Sequence, residues 1–316
     1  MPLKAIWADN TAYSKFLLAV GVVLICAVLF TLIGTITVSI VYGIGPAQLQ
    51  GLFNELSNPE VISMLKFMQT ISAIGAFVVP ALLIAYLFDK KPLQYLAFSK
   101  NFSLISVILV VLALIIAIPF INYLVELNSR MSLPSIFSGI EKWMKESENK
   151  AAELTERFLV MHSVSDLLFN IFMIGLLPAI GEELLFRGVI QRLFIDWSKN
   201  RHIGIWVTAI LFSAMHLQFY GFIPRVLLGA LFGYLLVWSG SLWLPICAHF
   251  ANNASAVLFT WLFKEQLMTV DADKIGAQGE TSAVLISFIV MAGLLGVVYA
   301  REKRKREKVE GVGVDW

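Results

Sequence analysis

Two cysteines in 316 residues, Cys26 and Cys247, each inside an apolar run, exclude a disulfide framework and a thiolate metal cage. Charge is also scarce. Only 15% of the residues are Asp, Glu, Lys or Arg, against about a quarter in an ordinary soluble domain. The 24 basic and 22 acidic side chains leave a formal charge of +2, too near neutral to suggest a nucleic-acid partner. No internal repeat, low-complexity tract or Gly/Ser-rich linker divides the chain, and no His-Glu-x-x-His zinc signature occurs in it. What the chain has in excess is hydrophobicity. Apolar residues make up 58% of the sequence and the mean hydropathy is +0.79. They come in runs of about twenty, the length that crosses a ~30 Å hydrocarbon slab. The expected class is an all-α, polytopic integral membrane protein. The first run, Phe16 to Val41, is too long for the core of a secretory signal and reads as an uncleaved span.

Apolar length and breaker residues predict eight transmembrane helices, at about 16–43, 61–88, 103–126, 164–194, 203–219, 223–239, 242–263 and 282–300. With the N-terminus inside, fifteen basic residues flank the spans on the inner side, Arg187 and the six of the 301–308 tail among them, against eight outside. The positive-inside rule then places both termini in the cytoplasm. Three regions follow: N-terminal helices with an outward loop over 1–160, a core over 161–265, and a last helix with a basic tail over 266–316. Within the outward loop, Ile140 to Phe158 has apolar residues at helical spacing among many charges. That predicts an amphipathic helix, either lying on the membrane surface or solvated. Gly311 to Trp316 reads as a frayed end.

Ionisable groups inside spans are costly and are functional candidates by default. In the second half of the chain they are Glu182, Glu183, Arg187, His216, Arg225 and His249, joined by the amides Asn252 and Asn253. Glu183 and Arg187 stand at i and i+4, a structural pair. Glu182, turned by roughly 100° on the helix, is left without a local cation. His249 and Asn253 share one face of the seventh helix. A rise of 1.5 Å per residue puts Glu182 at ~18 Å, His216 at ~20 Å, His249 at ~10 Å and Asn253 at ~16 Å from the inner helix ends, one band of the membrane. Pro178 and Gly181 are expected to kink or break the fourth span just before the carboxylates. Phe212, one turn before His216, packs against its ring. Gly229 and Gly233 predict close helix packing. His162 and His202 fall in predicted loops.

In order along the chain, Glu182-Glu183-Leu184-Leu185-Phe186-Arg187, Phe212-Ser213-Ala214-Met215-His216 and His249-Phe250-Ala251-Asn252-Asn253 resemble the three motifs of the CAAX protease and bacteriocin-processing family. This family of intramembrane proteases is also called the Abi family, and its eukaryotic member is the type II CAAX prenyl endopeptidase. The likeness covers roughly residues 165–262. It implies that Glu182 is the general base on a water, which His216 holds. His249 and Asn253 would hydrogen-bond the oxyanion, and Glu183, Arg187 and Phe212 would support the geometry. No Ser or Cys stands in the motifs as a nucleophile, so direct attack by water fits. The implied reaction needs no cofactor. Zinc on Glu182, His216 and His249 is the alternative, and a transporter, a scaffold or an immunity protein are the readings outside hydrolysis. The implied partners are membrane lipid and a lipidated or transmembrane peptide, and the implied location is the plasma membrane of a bacterium.

Overall fold

The computed structural model describes residues 3–98, 103–265 and 281–310; Lys100 and the expected frayed end lie outside them. Among the described residues every regular element is helical. The long helices are α1 Ala12–Tyr42, α2 Pro59–Phe88, α3 Leu104–Ile116, α4 Ile118–Ser129, α5 Ser138–Phe158, α6 Val164–Ser198, α7 Arg201–Met215, α8 Phe222–Ser239, α9 Trp243–Lys264 and α10 Thr281–Glu310. Their limits follow local chemistry. Thr11 caps α1 by accepting from the Ser14 N–H, and Gly43 ends it at φ 66°. Asn58 and Ser163 cap α2 and α6.

Six of these helices are long and apolar enough to cross a membrane, or seven if the bent pair α3–α4 counts as one span. The eighth expected span is α7. Its 15 residues extend only ~22 Å, short of the hydrocarbon thickness. Leu217, at φ 51°, turns the chain immediately after it.

Of the five prolines inside expected spans, Pro224 and Pro245 stand in the first turn of their helices and three, Pro80, Pro119 and Pro178, stand deeper. In α2 and α6 a widened π turn, Ile74–Val78 and Ile171–Leu176, stands just before Pro80 and Pro178. The wide turn relieves the clash of the proline ring with the preceding turn and removes the need for its missing N–H. The expected break at Pro178 is therefore corrected to a continuous helix, with a second π turn at Phe186–Ile190. Gly181 is a contact point instead of a hinge: a Cβ there would lie 2.9 Å from Phe77 Cβ. Only Pro119 coincides with a sharp bend, the 50° between α3 and α4.

Hydrogen bonds tie the helix ends into two opposite faces. On one, the Ala5 and Trp7 N–H groups donate to Tyr86 and Leu87 at the end of α2. Trp243 Nε1 donates to the Phe98 carbonyl, and Arg306 reaches Val237 at the end of α8. We call this the basic face. On the other, Asn128 at the end of α4 bonds Phe219 and Ile223 before α8 (2.9 and 2.7 Å). There Lys66 donates to Asn170, and the Asn170 amide donates to Phe158 at the end of α5. The expected amphipathic helix is α5. It packs Leu154 and Phe158 onto Val61, Met64 and Met173, and Trp143 against Phe219.

Candidate active site

Glu182 and Glu183 are adjacent on α6, in the helical segment between its two π turns. Both are buried, Glu183 completely. Their one-residue offset turns them to different neighbours. Glu183 Oε1 pairs with Arg187 Nη1 at 3.0 Å, both side chains having no solvent exposure. The same oxygen lies 2.8 Å from His249 Nδ1. An ionised carboxylate paired with a guanidinium only accepts, so Nδ1 carries the hydrogen and donates. That leaves Nε2 turned toward Glu182 Oε2, 3.8 Å away, a separation beyond a direct hydrogen bond.

His216 caps the C-terminus of α7, and its Nδ1 donates to the Phe212 carbonyl at 2.8 Å. Both imidazoles thus use Nδ1 to hold position and keep Nε2 for whatever enters the site. Phe212 lies between them, edge-on to His216 at 5.0 Å and to His249 at 6.0 Å. Its face also receives the Arg187 guanidinium at 4.6 Å, a buried cation–π contact. Arg187, counted from sequence with the inward flank, is instead a buried member of the site, with Nη2 donating to the Gly229 carbonyl at 2.9 Å.

Asn253 stands one turn beyond His249 on α9. Its Nδ2 donates to the Ile174 carbonyl in the first π turn of α6 (3.2 Å), and its Oδ1 accepts from Asn252. One amide hydrogen of Asn253 is left for the cavity. Glu182, Phe212, His216, His249 and Asn253 all line one cavity of ≈ 590 Å³. The sequence-predicted residues are therefore brought together, with Glu183 and Arg187 behind the wall.

Several partners were not singled out from sequence. Phe232 stacks on His249 at 5.1 Å and 20°, and Gln191, fully buried, donates to the Gly233 carbonyl. A Cβ at Gly233 would lie 2.6 Å from Gln191 Oε1, and one at Gly229 3.2 Å from Phe212. These two glycines let α8 approach the site closely enough for its carbonyls to serve Arg187 and Gln191. Cavity walls also come from Gln69 of α2, Ile121 of α4, and Ala151 and Thr155 of α5. Of the two remaining histidines, His162 is exposed, and His202 lies in the first turn of α7, bonded to the Tyr234 hydroxyl. Among the described residues no group of three or more His, Cys, Asp or Glu side chains is placed to hold a metal ion.

Fold and site together define an all-helical integral membrane protein in which carboxylate, imidazole and amide groups line one cavity among the helices. Within it, residues 164–255, which hold every site residue named from the motifs, match the family described as type II CAAX prenyl endopeptidase Rce1-like. Two curated relatives are similar over parts of their length. The chain is 29% identical over 120 residues to the uncharacterized protein YpbD of Bacillus subtilis (strain 168), covering 37% of this chain and 57% of that one. It is 28% identical over 101 residues to an uncharacterized 24.3 kDa protein of Escherichia coli, covering 31% and 46%. The matches thus span about half the length of these relatives. No solved structure matches the chain.

Proposed function

We propose that this protein is an intramembrane endopeptidase in which Glu182 draws a proton from a water that attacks a peptide carbonyl and returns it to the leaving nitrogen as the C–N bond breaks. The observation that carries the reading is the placement of Glu182 Oε2 beside His249 Nε2 on the wall of a cavity shared with His216 and Asn253. His216 holds the water through Nε2. The free amide hydrogen of Asn253 faces the oxygen that becomes negative as the carbonyl turns tetrahedral, and His249 joins it as a donor when its ring takes a second proton at Nε2, a use of preorganised donors in a water-poor site. Glu183 and Arg187 are positioning residues, acting through the His249 ring and Phe212. The family match over 164–255 supports CAAX-type peptide hydrolysis. A lipidated or transmembrane peptide is the substrate class. A second, mainly apolar cavity of ≈ 400 Å³ adjoins the first through Ile121, Asn252 and Ala256, which suits an apolar chain. The chemistry proceeds without a metal, in a plasma membrane with both termini cytoplasmic.

The test is cleavage of a panel of fluorogenic lipidated and transmembrane peptides by purified protein in nanodiscs, with and without a strong chelator. Glu182→Gln should lower kcat by about 10²–10⁴-fold, the range for a general base, and His249→Ala should also be severely impaired. Parent activity should survive chelation. Loss on chelation with rescue by zinc would replace this mechanism with a metal-dependent one. Full activity of Glu182→Gln would remove Glu182 as the base.

A further inference from the structure

The two faces of the molecule differ in charge, and of the segments that make up these faces only those of one line the cavity. On the basic face, the connection 89–103 carries Lys90, Lys91 and Lys100, the α6–α7 turn carries Lys199 and Arg201, and the tail has six basic residues within 301–308. Contacts among their described residues bring these segments to one face. Arg192 lies over the Tyr95 ring at 4.5 Å, Arg301 reaches Ser103 at the start of α3, and Tyr13 packs on Trp197 at the end of α6.

The opposite face carries less positive charge, Lys66 and Lys264 included. Its connections 43–58 and 216–224 contain no Lys or Arg, and residues 127–163, with α5, hold five basic against five acidic side chains. This is also the cavity's face. Ala151, Thr155 and Phe158 of α5 and Gln218 and Gly221 before α8 line it, while none of its lining comes from the basic connections. Glu148 of α5 accepts from the Tyr220 N–H, which ties the helix to the turn before α8, both of which line the cavity.

We propose that the face carrying α5 is the non-cytoplasmic one, that the cavity is loaded from that side, and that the substrate is a peptide segment exported through the membrane or exposed beyond it. The physical reason is the bias that keeps short flanks rich in Lys and Arg in the cytoplasm. The reverse orientation would require the six basic residues of the tail to lie outside. Although α7 is too short to count as a span by length, it starts with Arg201 on the basic face and ends with Met215 beside the cavity, and α8 returns from there, a hairpin-like pair. The choice of orientation therefore does not depend on counting α7 as a span. The substrate half of the proposal rests on the hydrolase reading; the orientation half does not.

The experiment uses the full chain with Cys26→Ala and Cys247→Ala, carrying one new cysteine at an exposed neutral position, Asn149→Cys on α5 or Asn10→Cys on the basic face. A membrane-impermeant maleimide should label Asn149→Cys in spheroplasts of the expressing cells and Asn10→Cys only after permeabilisation. In sealed vesicles, an impermeant peptide cleaved by the protein in nanodiscs should be cleaved by right-side-out vesicles and spared by inside-out ones. Labelling of Asn10→Cys alone in spheroplasts would overturn the proposal. So would cleavage confined to inside-out vesicles. Failure of the nanodisc reaction itself would strike the hydrolase reading and the substrate half together, and the maleimide result would still decide the orientation.

Discussion

At the scale of single residues, the site is organised by Glu183. Its Oε1 serves Arg187 and His249 at once, within 3.0 and 2.8 Å. The i, i+4 partner is legible from spacing alone, because helix geometry places it one turn away. The His249 partner is not, since 66 residues of chain separate the two and only packing of α9 on α6 unites them. The same distinction holds for Phe232, whose stacking on His249 has no sequence signal beyond an aromatic in an apolar helix. This division predicts opposite effects of two isosteric changes. In Glu183→Gln the amide oxygen can still accept from His249 Nδ1, but Arg187 is left buried without its counterion. Breaking such a pair costs about 3–5 kcal/mol, so a large fall in Tm with partial retention of kcat is expected. Glu182→Gln removes a buried charge that has no paired cation; its Tm should be unchanged or higher while activity is lost. Thermal unfolding in detergent alongside kcat checks both. A fall in Tm for Glu182→Gln as large as for Glu183→Gln would show that Glu182 is structural.

At the scale of the element, composition located the helices well because hydrophobic length is set by the bilayer, and α1, α2, α6, α8, α9 and α10 all emerge from it. Two local features depend on neighbours that spacing alone does not reveal. Pro178 reads as a breaker only if the helix must keep its i→i−4 pattern, and α6 escapes by widening one turn. Gly181 reads as a hinge only until its neighbour is known, and that neighbour is the π turn of α2. The same close approach occurs at Gly75, where a Cβ would stand 2.0 Å from Phe30 Cβ on α1. Phe30 cannot relieve this by rotating its ring, because the clash is at its Cβ, so α1 and α2 would have to separate. Gly75→Ala should cost about 1–3 kcal/mol, the range for overpacking. Gly21→Ala, with nothing within 4 Å, should be neutral or stabilising by up to about 1 kcal/mol from helix propensity. Reversible unfolding of the two variants in mixed micelles compares them directly; equal effects would mean that the α1–α2 contact is loose.

At the scale of the whole molecule, the segment 161–265 supplies the motif side chains that line the cavity and the rest of the chain supplies walls and a cover. Gln69, Ile121 and α5 complete the cavity, so the motif region by itself would present an open trough. The sequence announced α5 as amphipathic without saying what its apolar side meets, because that partner is assembled from α1, α2 and α6. Its C-terminal end is fixed by a relay of polar contacts. Lys66 Nζ donates to Asn170 Oδ1 at 2.9 Å, Asn170 Nδ2 donates to the Phe158 carbonyl at 2.7 Å, and Lys264 reaches the Met161 carbonyl. Asn170 is completely buried, so replacing it by Ala leaves both the Phe158 carbonyl and the Lys66 ammonium short of a partner. Losing a buried hydrogen-bond partner costs about 1–3 kcal/mol, and here the loss falls on the junction between α5 and the bundle. Limited proteolysis should therefore cut Asn170→Ala within 138–158 faster than the parent, while fragments containing α6 to α9 stay intact. Leu154 and Phe158 still bury apolar surface against α2. If the cutting rate is unchanged, those two side chains hold the cover and the relay only sets its register.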